Sequence, residues 1–150
     1  MPVAYIDLLS GLKLDSKKKL ITEVTASIHH AYMIPDTRVF LREWSAEQIS
    51  VDGQLGAPMR PICTFVVPSG LPVEGKRQLV RRVSAAIAEA CSLQIEEVPL
   101  PSGKKVSTNW VLAFFSEYPL EKAALDGLMA FENPMVLEGM EAAMQMNKES

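Results

Sequence analysis

The sequence predicts an α+β fold of the α/β-sandwich kind, in which two fused β-α-β units form a four-stranded mixed sheet covered by two helices. Three observations carry that prediction. Pro2 through Ala31 superimposes without gaps on Pro61 through Ala90, an offset of 59 residues (61 − 2), with ten of the thirty positions identical; chance would give about two. The match resumes where Phe40–Gly53 lies over Phe114–Gly127, an offset of 74 (127 − 53), so the second copy carries 15 additional residues (74 − 59). Each copy also reads strand, turn, helix, strand, and strands joined by a helical crossover pair in parallel with a right-handed connection. The expected organisation is one domain of 150 residues, with repeats at 2–59 and 61–128 and a C-terminal extension at 129–150.

Val3 to Leu9 is apolar, with β-branched and aromatic members, and Ser10-Gly11 supplies a turn after it. Asp15 or Ser16 offers an N-cap, and Leu20, Ile21, Val24, Ile28 and Ala31 recur at helical spacing until Pro35-Asp36 stops the helix. Arg38 to Trp44 is the second strand, followed by an Asp52-Gly53 turn. The second copy repeats the scheme with a strand over Ile62 to Val67, a helix on Leu79, Val80, Val83 and Ile87, and a strand from Trp110 to Ser116. Pro99 to Lys105 is rich in turn formers and charge, which places the insertion in an exposed loop. The tail carries Met135, Leu137, Met140, Met144 and Met146, an apolar segment suited to packing on the body or on a neighbouring subunit.

A net charge of −3 and a pI near 5.4 disfavour a nucleic-acid partner, which needs a basic face. No apolar run reaches membrane-spanning length and no leader precedes the first strand, so a cytoplasmic protein without a membrane partner is expected. Cys63 and Cys91 suit a reducing compartment as small buried hydrophobes. No Cys, His or carboxylate cluster falls at metal-ligand spacing, and no metal or other cofactor is expected.

The strongest chemical group is at the N-terminus. Methionine aminopeptidases remove Met1 when the next residue is small, and the mature chain is then expected to begin with the secondary amine of Pro2. Burial in an apolar pocket disfavours an ammonium ion, which keeps such an amine available as a base or a nucleophile at neutral pH. Pro61, its internal counterpart, is peptide-bonded and has no amine to offer. His29 lies one residue past the core position Ile28, about 100° around the helix, where it can edge a pocket and donate to a carboxylate or carbonyl. Arg38 and Arg42 share one strand face, and either can meet an anionic group. Trp44 and Trp110 read as packing residues, and Glu43 and Glu117, at matching places in the copies, as structural partners.

A Met-Pro start running directly into a strand, with a β-α-β unit of about sixty residues repeated once, resembles the tautomerase superfamily. The first copy is similar to 4-oxalocrotonate tautomerase (4-OT) in Pro2, the Leu9-Ser10-Gly11 turn, the helix around Leu20–Val24, and Arg38-Val39 with Glu43. The length, the extension and His29 make the cis-3-chloroacrylic acid dehalogenase group the best match among the fused branches. The resemblance implies an active site at Pro2, a substrate-facing His29, a substrate-binding Arg38 and a homotrimer. It also implies that Leu12 replaces an arginine of 4-OT, that Pro68 and Leu71 replace the two arginines holding a carboxylate in the dehalogenase group, and that Phe114 and Leu125 replace its tyrosine and its water-activating glutamate. Asp126, beside Leu125, reads as a turn residue because Asp52 matches it.

Each of these replacements exchanges a charge or hydroxyl for apolar surface. The expected function is therefore a Pro2-dependent isomerase or lyase acting on a small-molecule carbonyl or enol compound larger and less anionic than the usual diacids, with Pro2 and His29 catalytic and Arg38, Leu12, Leu71, Phe114 and Leu125 around the substrate. Two alternatives stand beside it. One is dehalogenase-like hydration with Arg38, Arg42 or Arg60 as replacement ligands; the other is a non-catalytic trimeric binding protein.

Overall fold

The computed structural model describes residues 1–149. In the first copy, strand β1 (Val3–Leu9), helix α1 (Leu14–Tyr32) and strand β2 (Arg38–Trp44) are followed by the small hairpin of β3 (Ser50–Val51) and β4 (Gln54–Leu55). The second copy comprises β5 (Ile62–Pro68), α2 (Val73–Ala90), the inserted pair β6 (Glu96–Pro99) and β7 (Lys105–Thr108), then β8 (Leu112–Tyr118) and the small hairpin of β9 (Ala124–Leu125) and β10 (Leu128–Met129). Helix α3 (Pro134–Glu149) ends the chain's described part.

The main sheet has the order β2-β1-β5-β8. Each helical crossover leaves its two strands parallel, with Val3 opposite Arg38 and Ile62 opposite Leu112, while β1 and β5 meet antiparallel with Val3 opposite Val66 and Asp7 opposite Ile62. The two copies are thereby related by a local two-fold between β1 and β5. Matching hydrogen bonds repeat across it. Arg38 N donates to Pro2 O at 3.0 Å and Leu112 N to Pro61 O at 3.1 Å, while Ser10 N donates to Trp44 O at 2.8 Å and Ser69 N to Tyr118 O at 2.9 Å. Glu43 pairs with Lys17 at 2.9 Å and Glu117 with Lys76, which gives both glutamates the structural role their matching positions suggest.

Period-two alternation sorts the strands into two faces. Ala4, Ile6, Leu8, Cys63, Phe65 and Val67 point under the helices and are buried. They meet Leu20, Val24, Ile28 and Ala31 of α1 and Leu79, Val83 and Ile87 of α2, all buried at the expected helical spacing. Phe65 stacks on Phe115 with ring centroids 5.0 Å apart. Among the described residues no helix covers the other sheet face. Phe40 and Tyr5 stack there at 5.4 Å, and Phe40, Trp44, Leu112 and Phe114 are exposed.

Several local expectations are corrected. Helix α1 starts at Leu14 with Lys13 as an N-cap that makes no side-chain cap bond, so neither Asp15 nor Ser16 caps it, and Ile21 faces solvent. The helix ends at Tyr32 because Met33 turns into the left-handed region (φ 53°) and donates its N–H to His29 O, ahead of Pro35-Asp36. Trp110 has φ 64°, which delays the last main strand to Leu112, and its pairing with β5 carries it on to Tyr118, opposite Pro68. The insertion pairs Glu96 with Thr108 and Pro99 with Lys105 as a hairpin, and the expected exposed loop at Pro99–Lys105 forms its tip. The Asp-Gly turns form in both copies, with positive φ at Asp52, Gly53, Asp126 and Gly127.

The extension adds a third helix. Of Met135, Leu137, Met140, Met144 and Met146 only Met140 is buried, and Val136, Gly139 and Ala143 complete the packed stripe of α3. Gly139 sits against the end of α1, where a Cβ would lie 2.6 Å from Met33 O and 2.8 Å from the Ile34 side chain. Gly139→Ala gains about 1 kcal/mol of helix propensity and forces a backbone contact apart, an overpacking cost of about 1–3 kcal/mol. The expected result is a lowered denaturation midpoint; a midpoint equal to or above that of the parent would show that α3 docks more loosely.

Candidate functional site

The local two-fold places Pro2 and Pro61 at opposite ends of the sheet. At the Pro2 end, β1 and β2 begin while β5 and β8 finish, so Arg38, Val66 and Tyr118 converge on the N-terminus from three strands. Pro2 is buried and held by its carbonyl, which accepts from Arg38 N. Met1 projects beyond it, and both of its polar backbone groups meet Tyr118: the amine donates to Tyr118 Oη at 3.2 Å, and Tyr118 Oη donates to Met1 O at 2.9 Å. A cleft of about 280 Å³ opens here, walled by Val3, Val66, Leu125 and Ala123, with Arg38, Asp36 and Lys122 supplying charge.

The electrostatics favour a neutral amine beside a protonated phenol. Burial lowers the pKa of the N-terminal amine; Asp36 opposes this and Arg38 adds to it. Burial pushes the Tyr118 hydroxyl up to about 12, so it remains a donor at neutral pH. Arg38 grips Asp36 through Nε (3.1 Å) and Nη2 (2.9 Å), and these bonds hold the Asp36 carboxyl below its ordinary value. The cleft thus combines an amine poorly disposed to carry a proton, a hydroxyl donor, and a guanidinium whose charge is already shared. Among the described residues no group of three or more His, Cys, Asp or Glu is arranged to hold a metal ion.

Of the residues read from the sequence, Pro2, Arg38 and Leu125 come together at this end. His29 lies exposed on the last turn of α1 and does not line the cleft. Leu71 is buried in the core after β5. Leu12 follows β1 at the opposite end of the sheet, half-buried against the core, and Phe114 stands exposed in the middle of β8. Arg42 is bound to Asp7 at 2.7 Å, and Arg60 lies over the Trp110 ring at 4.0 Å. Tyr118 is the site residue that the sequence reading missed. Its signal was present, since the second internal offset aligns it with Trp44, an aromatic matched by an aromatic that alone carries a hydroxyl.

No family model matches the chain, and no curated protein matches it. Solved structures share its fold. It is similar to a wild-type fused 4-OT described as a symmetric trimer, with 19% identity over 87% of this chain and 97% of that one and a TM-score of 0.70. A protein inactivated by 2-oxo-3-pentynoate aligns at 20% identity over 86% and 96% of the two chains, TM-score 0.64. Macrophage migration inhibitory factor of Toxoplasma gondii aligns at 11% identity over 85% and 98%, TM-score 0.62. The α+β architecture of two β-α-β units is therefore a known one. Among the described residues no helix is long and apolar enough to cross a membrane.

Proposed function

We propose that the chain, once Met1 is removed, is a tautomerase-superfamily isomerase or lyase that uses the Pro2 nitrogen as its base on a carbonyl or enol compound. One observation carries this reading: the Met1 amine, the Tyr118 hydroxyl and Arg38 share a single cleft next to buried Pro2, whose nitrogen becomes the terminus when Met1 is removed, and burial there opposes protonation of an amine. Loss of Met1 removes the carbonyl to which Tyr118 donates and frees that hydroxyl beside the new terminus. Keto-enol interconversion is the minimal chemistry. Pro2 takes a proton from the carbon next to the carbonyl, Tyr118 donates a hydrogen bond to the developing enolate oxygen, and the proton returns to that oxygen.

The walls favour a larger, less anionic substrate than a diacid. Val3, Val66 and Leu125 are apolar, and Asp36 already occupies the fork of Arg38, leaving no second arginine in the cleft. His29 and Phe114 reach this chemistry only if a neighbouring subunit brings them to it. A homotrimer is accordingly part of the proposal. It is supported by the uncovered apolar face of the sheet and by the trimeric fused 4-OT of the same fold. Sedimentation should return three times the 16.5 kDa chain.

The amine makes a pH prediction. Burial lowers the pKa of the Met1 amine at this end of the sheet, and Pro2 is itself buried, so the same desolvation should hold the Pro2 amine, once exposed, below the ordinary range of an α-amino group. The keto-enol turnover of phenylpyruvate should rise with pH through a midpoint lying below that range and then level off. A midpoint at or above the ordinary value, or no acid limb, would remove the amine from the reaction.

A further inference from the structure

The local two-fold carries the Pro2 cleft onto a second cleft at the other end of the sheet. Under the offsets of 59 and 74, Met1 maps to Arg60, Val3 to Ile62, and Tyr118 to Trp44, and these residues line an opening of about 330 Å³. Duplication therefore built the cavity twice and filled its chemical position differently: where the first cleft holds an amine and a phenol, the second holds a guanidinium and an indole.

The charges around the second cleft leave Arg60 uncompensated. Asp7 also lines it, but its two oxygens accept from Arg42 Nη2 at 2.7 Å and Trp44 Nε1 at 2.8 Å. The nearby Glu96 accepts from Trp110 Nε1 at 2.9 Å. Arg38, Arg42 and Arg77 each have a carboxylate partner, whereas half-buried Arg60 forms no ion pair among the described residues. Its face is stacked on Trp110 at 4.0 Å. Stacking orders the planar group while leaving its in-plane N–H donors free for a two-pronged acceptor. Leu9, Ile49, Pro58 and Ile62 give the remaining wall an apolar character.

We propose that this second cleft is a binding site for a monocarboxylate with an apolar or aromatic body, its carboxylate on the Arg60 fork and its body against Trp44 and the aliphatic wall. A guanidinium does not titrate near neutrality and an indole only donates, and the one carboxylate in the lining, Asp7, is held by Arg42 and Trp44, so the site is built to bind and not to react. This inference is independent of the chemistry at Pro2.

The chain's two tryptophans, Trp44 and Trp110, both belong to this end of the molecule, which makes intrinsic fluorescence a local reporter. Phenylacetate is the probe, titrated into the parent protein, Pro2→Ala, Arg60→Met and Arg60→Lys, with uncharged phenylacetamide as the control. The expected result is saturable binding of phenylacetate to the parent and to Pro2→Ala with the same Kd. Arg60→Met should bind about tenfold more weakly or worse, the loss of a charge-assisted contact. Arg60→Lys, which keeps the charge without the fork, should fall between them, and it serves as the reading if circular dichroism shows Arg60→Met misfolded. The proposal is overturned if phenylacetate gives no saturable change, if phenylacetamide binds as tightly, if the Arg60 variants bind like the parent, or if Pro2→Ala alone abolishes binding.

Discussion

Pro2→Ala is expected to lower kcat/KM for phenylpyruvate by about a hundredfold or more, the usual contribution of a positioned general base. Alanine retains a primary amine after Met1 is removed, so the loss arises mainly from position. The pyrrolidine ring ties the nitrogen to its own side chain and so fixes its direction relative to the backbone, whereas an alanyl amine rotates about a free N–Cα bond. The fold should survive, because proline donates no backbone hydrogen bond and the carbonyl that accepts from Arg38 remains. A variant with parental melting behaviour and parental turnover would exclude Pro2 as the base.

Phe114→Glu should convert the proposed trimer to monomers while leaving the β-α-β core folded. Phe114 is 52% exposed in the protomer and lies in one row with Thr64, Tyr5 and Phe40 across all four strands. Its side chain contributes nothing to the helix-covered core, so a charge there costs the protomer little. At an apolar interface the same carboxylate, repeated in every subunit, must be desolvated without a partner, at a cost of several kcal/mol per site. Sedimentation should show the mass falling to that of one chain, with unchanged far-ultraviolet circular dichroism. An unchanged trimer would place the interface elsewhere.

What was legible in the sequence was local and repetitive. The limits of β1 and β2, the buried stripes of α1 and α2, and the pairing of Glu43 and Glu117 follow from periodicity and from the duplication. Termini governed by single backbone angles were not, as Met33 and Trp110 show: each adopts positive φ, and neither is a residue type that advertises it. The docking of Gly139 on Met33 joins residues more than a hundred positions apart, and no local pattern encodes it.

The site divides in the same way. Pro2 and Arg38 could be placed together because parallel pairing within one copy sets Val3 against Arg38. Tyr118 reaches the N-terminus only through the antiparallel junction of the copies, which the duplication suggests but does not orient. Leu12 is separated from Pro2 by β1 itself, since Pro2 precedes the strand and Leu12 follows it. The opposition of the two clefts, amine against guanidinium, also becomes visible only once the two-fold is in place.

Whether a free Pro2 nitrogen does the chemistry is decided by comparing two otherwise identical chains. One has Met1 removed and the other retains it, each verified by intact mass, and both are assayed for phenylpyruvate keto-enol turnover. Acylation by Met1 makes the Pro2 nitrogen an amide with no basic lone pair, so turnover should be confined to the processed chain and fall to the uncatalysed rate in the unprocessed one. Equal turnover by both chains would contradict the account.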